Sequence, residues 1–181
     1  MSYLSRDERR ELILKAAMRV ALSDGFAGMT VRRIANEAGV ATGQVHHHFS
    51  SGAELKAQAF VRVMGELLDV DVLPESASWR ERLHAMLGSN EDGFDPYIRL
   101  WREAQVLASK EPELKGAYVL TMEMWHEKVV AIINAGVTAG EFVRHDSTEN
   151  IAWRLIALVC GLDGIYVLGM PRSEERRVGK E

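Results

Sequence analysis

The chain has 181 residues, 47% hydrophobic and 27% charged, with a formal net charge of −4, an ordinary globular composition with length for one or two compact units. No apolar run approaches the ~20 residues of a membrane span and residues 1–10 contain no signal-peptide core, so the expectation is a cytoplasmic protein with no membrane partner. The single cysteine, Cys160, lies in the apolar run I-A-L-V-C-G-L, which excludes an internal disulfide and reads as a buried structural thiol.

The charge is unevenly spread: residues 1–52 hold seven Lys/Arg and five acids, +2, leaving −6 for the remainder. A modestly basic end on an acidic body fits a molecule of which one end meets phosphate. The first predicted helix opens near Ser5, three residues before Glu8 in a capping-box pattern. Leu12, Ile13, Ala16, Ala17, Val20 and Ala21 form its apolar stripe, Asp24-Gly25 ends it, and Phe26 folds beneath as core. Arg6, Arg9 and Arg10 at its start either reach DNA or form a solvated basic end. A second helix follows Thr30 as N-cap, with Val31, Ile34, Ala35 and Ala38 on one face, and Gly39 stops it in the left-handed conformation. Thr42 recaps the chain. Val45 and Phe49 form the buried side of a third short helix, leaving Thr42, Gly43, Gln44, His46, His47 and His48 outside.

A fourth helix from Ser51 or Gly52 to about Val70 carries Leu55, Ala59, Phe60, Val63, Met64, Leu67 and Leu68 at helical spacing, a rod that links the first three helices to the rest. Pro74 and two serines make a loop, and Trp79 to Leu87 is a fifth helix. Asp95 and Pro96 open a sixth, with Tyr97, Ile98, Trp101, Ala104, Gln105 and Ala108. A seventh runs from about Glu113 to Ala139 and an eighth from Ser147 or Thr148 to about Met170. No strand pattern competes, so the fold class is all-α: a three-helix head, residues 1–50, and a helical body, residues 51–181. The tail R-S-E-E-R-R-V-G-K-E, Arg172 to Glu181, has almost no apolar face and reads as poorly packed.

Helix, turn and helix over residues 30–55 is the arrangement in which a second helix enters the major groove and offers its N-terminal half to base edges. The segment A-G-V-A-T-G-Q-V-H-H-H-F-S-S-G-A-E-L, with G-F and T-V-R-R-I-A upstream, also closely resembles the tetracycline-repressor (TetR) family of one-component regulators over roughly residues 8–60. The resemblance implies a ligand-responsive repressor that binds a palindromic DNA operator as a homodimer. It places Thr30, Arg32, Arg33, Thr42, Gly43, Gln44, His46, His47, His48 and Gly52 at DNA. Thr42, Gln44 and His47 are then base readers, with Gln44 on adenine, and Arg32, Arg33, His46 and His48 backbone contacts. Two positions depart from the family pattern: His46 stands where a tyrosine is common and Gly52 where a lysine opens the next helix. Weaker or more salt-sensitive binding is the expectation. Affinity should also rise as pH falls through roughly 6.5 if the imidazoles meet phosphate.

The eighth helix is apolar nearly all round and needs cover from a second chain, with Ala157, Gly161 and Gly164 allowing close approach. The large side chains of the body suit an apolar pocket for a small-molecule effector. Met64, Tyr97, Trp101, Gln105, Met122, Trp125, His126, Asp163 and Tyr166 are its candidate residues. The segments A-L-V-C-G-L-D-G-I-Y-V-L-G and Y-I-R-L-W-R-E resemble the choline-responsive betaine-pathway regulators, which favours a cationic or aromatic effector held by cation–π attraction. No cofactor is expected. Adjacent helical histidines point about 100° apart and do not share one metal ion. No nucleophile with a base or phosphate loop points to an enzyme. A helical adaptor that has lost DNA binding is the competing reading, motivated by Gly52.

Overall fold

The computed structural model describes residues 4–70, 73–88 and 95–170. Among them all the regular secondary structure is helical: α1 (Arg6–Gly28), α2 (Val31–Ala38), α3 (Thr42–His48), α4 (Gly52–Asp69), α5 (Trp79–Met86), α6 (Asp95–Leu107), α7 (Pro112–Thr138) and α8 (Thr148–Val167). The predicted tail from Arg172 to Glu181 and the aromatic Phe94 lie outside the described residues.

Side-chain caps set most helix starts. Ser5 and Glu8 form a reciprocal capping box, repeated by Ser78 and Glu81, while Thr30, Ser51 and Ser147 each accept from a backbone N–H three residues on. The expected recap by Thr42 shifts by one: Ala41 occupies the N-cap position without a side-chain bond, and Thr42 is the first residue of α3. Helix α1 runs three residues past its expected stop, but Gly25 breaks it internally with φ 70° and ψ −177°. The break leaves Phe26 2% exposed beneath the head, as core. Gly39, at φ 66°, ends α2 in the left-handed region.

The chain divides into two compact units, Met1–Asp71 with Asn90–Trp125 and Val72–Ser89 with His126–Glu181. These compact units do not coincide with the division at residue 50 expected from the sequence. The reason is a core shared by the head and the helices after it: Ile13, Val20, Phe26, Ile34, Val45 and Phe49 pack in one cluster with Leu55, Phe60, Leu100, Ala104 and Leu114. The second unit has a thinner interior of Val129, Ile133, Ala152 and Ile156, with Thr148 buried among them and hydrogen-bonded to Asn134 at 2.8 Å. Helix α8 is, against expectation, long and apolar enough to cross a membrane by length and composition, and 11% of its most apolar 18-residue stretch is buried.

Candidate nucleic-acid interface and effector region

The reading helix is held by what lies under it. Val45 and Phe49 are 2% and 3% exposed, which fixes the rotation of α3 and turns Thr42, Gly43, His46 and His47 outward. Gln44 is half-buried, and its Oε1 accepts from Arg9 Nη1 of α1 at 3.4 Å. His48 is also half-buried, edge-on to His47 at 5.3 Å, with its Nδ1 buried and unbonded among the described residues. Burial, His47 and the cluster of Arg6, Arg9 and Arg10 hold its imidazole below the usual histidine range.

The arginines divide by partner. Arg32 is exposed on α2 beside the reading helix. Arg33 is a strut: Nε meets Asp24 and Nη1 meets Glu37, each at 2.9 Å, and Arg19 holds the same Glu37 at 2.9 Å. The carboxyls sit below their usual range, Asp24 through Ser23 and Arg33, Glu37 through Arg19 and Arg33. Arg10 is a second strut, donating to Gln58 Oε1 at 2.6 Å and lying 4.7 Å over the Phe49 ring. Thr30 is engaged as the cap of α2, its Oγ1 accepting from Arg33 N at 3.1 Å.

At the start of α4, Gly52 has room for a side chain: a Cβ there would meet only Val31 Cγ2, at 3.7 Å. The N-terminus beside it already holds an anion. Glu54 accepts from Ser50 N at 2.8 Å and from the Ser50 hydroxyl, and these bonds lower its pKa. Gln58 Nε2 donates to Glu54 at 2.7 Å, so Arg10, Gln58, Glu54 and Ser50 form one network joining α1, α4 and the turn after α3.

The nine predicted effector residues fall into both units. In the first, an aromatic row runs Phe26, Phe60, Tyr118, Trp101, Trp125, with neighbouring centroids 5.7, 6.5, 5.8 and 6.1 Å apart. Met64 is buried, and Tyr97 and Met122 are half-buried, but Gln105 is exposed on α6. In the second unit, His126 stacks on Trp153 at 4.4 Å and its Nε2 meets Glu149 O at 3.0 Å. Asp163 is half-exposed, and Tyr166 is 60% exposed. The thiol of Cys160 is half-buried and pushed up by burial and by Asp163, which keeps it protonated and inert. A cavity of about 280 Å³ in the second unit is lined by Arg80, Leu83, Ile133, Phe142, Arg144 and Leu155 among others, and by none of the nine.

Sequence reasoning missed a polar clasp between α6 and the break in α1. Beyond Gly25, Phe26 N donates to Glu103 Oε2 at 2.8 Å; before it, Arg99 Nη2 donates to Leu22 O at 2.5 Å and Ser23 O at 3.2 Å. The charges match the polarity of the free backbone groups: cation on carbonyls, carboxylate on N–H. The four-residue spacing of Arg99 and Glu103 on one helix was the available signal, but their partners lie 77 residues away.

The family description "Bacterial regulatory proteins, tetR family" matches residues 13–59, and "BetI-type transcriptional repressor, C-terminal" matches residues 79–178. The chain belongs to the tetR family. It is 38% identical to the HTH-type transcriptional regulator PksA of Bacillus subtilis, over 97% of this chain and 86% of that one. It is 27% identical to the regulator BetI of Rhizobium meliloti, over 88% and 76% of the two chains. A transcriptional regulator of Saccharomonospora viridis, solved in complex with choline, superposes with TM-score 0.66 at 25% identity, covering 92% and 88%. As a tetR-family member the chain is a ligand-responsive, DNA-binding transcriptional repressor.

Proposed function

We propose that two copies of the chain grip a palindromic operator, each placing α3 in one major-groove half-site, and that a cationic or aromatic small molecule releases them. The observation that carries the reading is the outer face of α3, where Thr42, Gly43, His46 and His47 stand exposed on a helix fixed by Val45 and Phe49. Thr42, His47 and Gln44 meet bases, while Arg32 and His46 meet phosphate. Arg33 and Arg10 hold α1, α2 and α4 in place and act on DNA only through that scaffold.

Pairing of two chains is supported by α8. Leu158, Leu162, Ile165, Tyr166 and Val167 are 43–60% exposed along it, and a Cβ at Gly161 or Gly164 would meet nothing within 4 Å. A second α8 covering that face would supply the apolar burial the second unit lacks. For the effector, the support is the ring row ending in Trp101 and Trp125, which suits a quaternary or protonated amine. The similar regulator carrying choline points to the same chemistry.

Transmission follows the row. Trp101 shares α6 with Arg99 and Glu103, so an effector that reorders the Trp101 and Trp125 rings bears on the clasp at Gly25 and on α4 through Phe60. Release requires the effector to bind the DNA-incompetent arrangement more tightly than the competent one.

The test is fluorescence anisotropy on the chain's own upstream intergenic DNA at two salt concentrations, with and without choline and related amines. Specific, steeply salt-dependent binding that an amine reverses is the expected result. Absence of specific binding at low salt would leave the helical adaptor in its place.

A further inference from the structure

The side chain of Gln44 in α3 is hydrogen-bonded to another helix, and that tie changes what it is able to read. Left free, a glutamine pairs with adenine through both ends of its amide: Oε1 accepts from N6 and Nε2 donates to N7. Here Arg9 Nη1 of α1 lies 3.4 Å from Gln44 Oε1, with both side chains half-buried. At that length the hydrogen bond is weak, but the orientation does not depend on it alone. Flipping the amide would put an NH2 group against a guanidinium, so charge and dipole both hold the oxygen toward Arg9 and the Nε2 donors away from it.

Arg9 itself has little freedom. The Ser5–Glu8 capping box sets the start of α1, and Arg10, the next residue, is pinned by Gln58 at 2.6 Å and by the Phe49 ring at 4.7 Å. Phe49 is the C-cap residue of α3 and Gln58 belongs to α4, so the first turns of α1 are fastened at both ends of the reading helix.

We infer that Arg9 is a specificity-determining residue: by holding Gln44 Oε1 it makes Gln44 a donor, so that the base it contacts is guanine rather than adenine. Guanine presents two acceptors, O6 and N7, to the Nε2 group, whereas adenine offers it N7 alone and sets the N6 donor beside it. The nearby guanidinium adds to the preference, since the acceptor edge of guanine attracts a cation and the amino group of adenine does not. The inference rests on α3 reading the major groove, as proposed above, and it replaces the expectation of a Gln44–adenine pair.

The experiment is selection from a random-sequence duplex library with the full chain, then anisotropy on the selected duplex and its single-base variants. Wild type, Arg9→Met, Arg9→Lys and Gln44→Ala are compared. The operator position read by Gln44 is the one whose preference Gln44→Ala abolishes. There, wild type is expected to favour guanine over adenine by roughly tenfold or more. Arg9→Met should lose or reverse that preference while other positions keep theirs, and Arg9→Lys, which keeps a cationic donor, should retain it. A merely structural Arg9 would weaken binding to every duplex alike without moving the base preference, and that result overturns the inference. So does adenine at that position in wild type. Failure of wild type to select any sequence overturns the operator-reading proposal along with this one, whereas failure of Gln44→Ala to alter any position overturns this inference alone, since Thr42 and His47 remain as readers.

Discussion

At the scale of single residues, Gly52 makes the most direct prediction about DNA. The space beside it accepts a longer side chain in ordinary contact with Val31, and a residue with a Cβ suits a helix start better than glycine. Gly52→Lys should therefore fold as well as the natural chain and tighten DNA binding, with the salt slope steeper by ~0.9 for each phosphate that the lysine neutralises. Anisotropy across a salt series reads both. An unchanged slope would mean that the α4 N-terminus does not approach the backbone, where Glu54 already provides the anion. His48 makes a prediction about pH. Because its folded pKa is depressed, the unfolded chain binds the proton more readily, so stability falls as pH drops below about 6.5 and the loss ends once pH passes the folded pKa. Thermal melts should show this slope, and His48→Gln should flatten it. The outward face of α3 was legible because Val45 and Phe49, four apart, announce its buried side. The fate of Arg10 was not, since Gln58 is 48 residues away; for Arg33 the acid four residues on, Glu37, was a local signal of an ion pair, but the pull of Asp24 and the sharing of Glu37 with Arg19 were not.

At the scale of elements, the break in α1 and the clasp from α6 form one device. Gly25 needs its positive φ, and a Cβ there would lie 2.7 Å from both Glu103 carboxylate oxygens. Gly25→Ala is expected to cost ~1–3 kcal/mol in urea unfolding, from backbone strain and displacement of Glu103. Glu103→Leu leaves the Phe26 N–H without its acceptor and should cost about 1–3 kcal/mol in the same assay. The functional consequence separates the clasp from ordinary packing. If α6 carries the effector's influence to the head, Arg99→Met and Glu103→Leu should reduce the ratio of DNA affinities measured without and with effector. A variant that loses stability but keeps that ratio would assign transmission to α4 alone. Asp24-Gly25 marked the place in the sequence, since glycine after a helical run signals a stop. That the chain resumes as helix on the far side follows from Glu103 and Arg99 satisfying the exposed backbone groups, which local pattern does not contain.

At the scale of the whole molecule, the unanswered demand is the surface of α8. Its apolar residues run nearly all round, which the sequence made plain; the half that the chain covers, Ala152 and Ile156, emerges only from the packing of α7 and the loop before α8. The other half, from Trp153 through Leu158 and Leu162 to Leu168, is 42–73% exposed at its large side chains. Large apolar side chains exposed side by side mark an interaction surface, and a membrane and a second subunit are two physical covers for it. The two differ in what a charge does. Leu158→Glu and Leu162→Glu replace exposed residues 59% and 43% accessible, so neither disturbs the fold of the single chain. In a self-paired α8 the two glutamates approach their symmetry mates, and sedimentation should change from dimer to monomer while circular dichroism stays constant. Binding to a palindromic duplex should then weaken far more than binding to a single half-site, because the second head no longer arrives already tethered. A variant that remains dimeric would place the subunit contact on another face, and one that is monomeric yet binds the palindrome unchanged would remove the need for two chains in reading DNA.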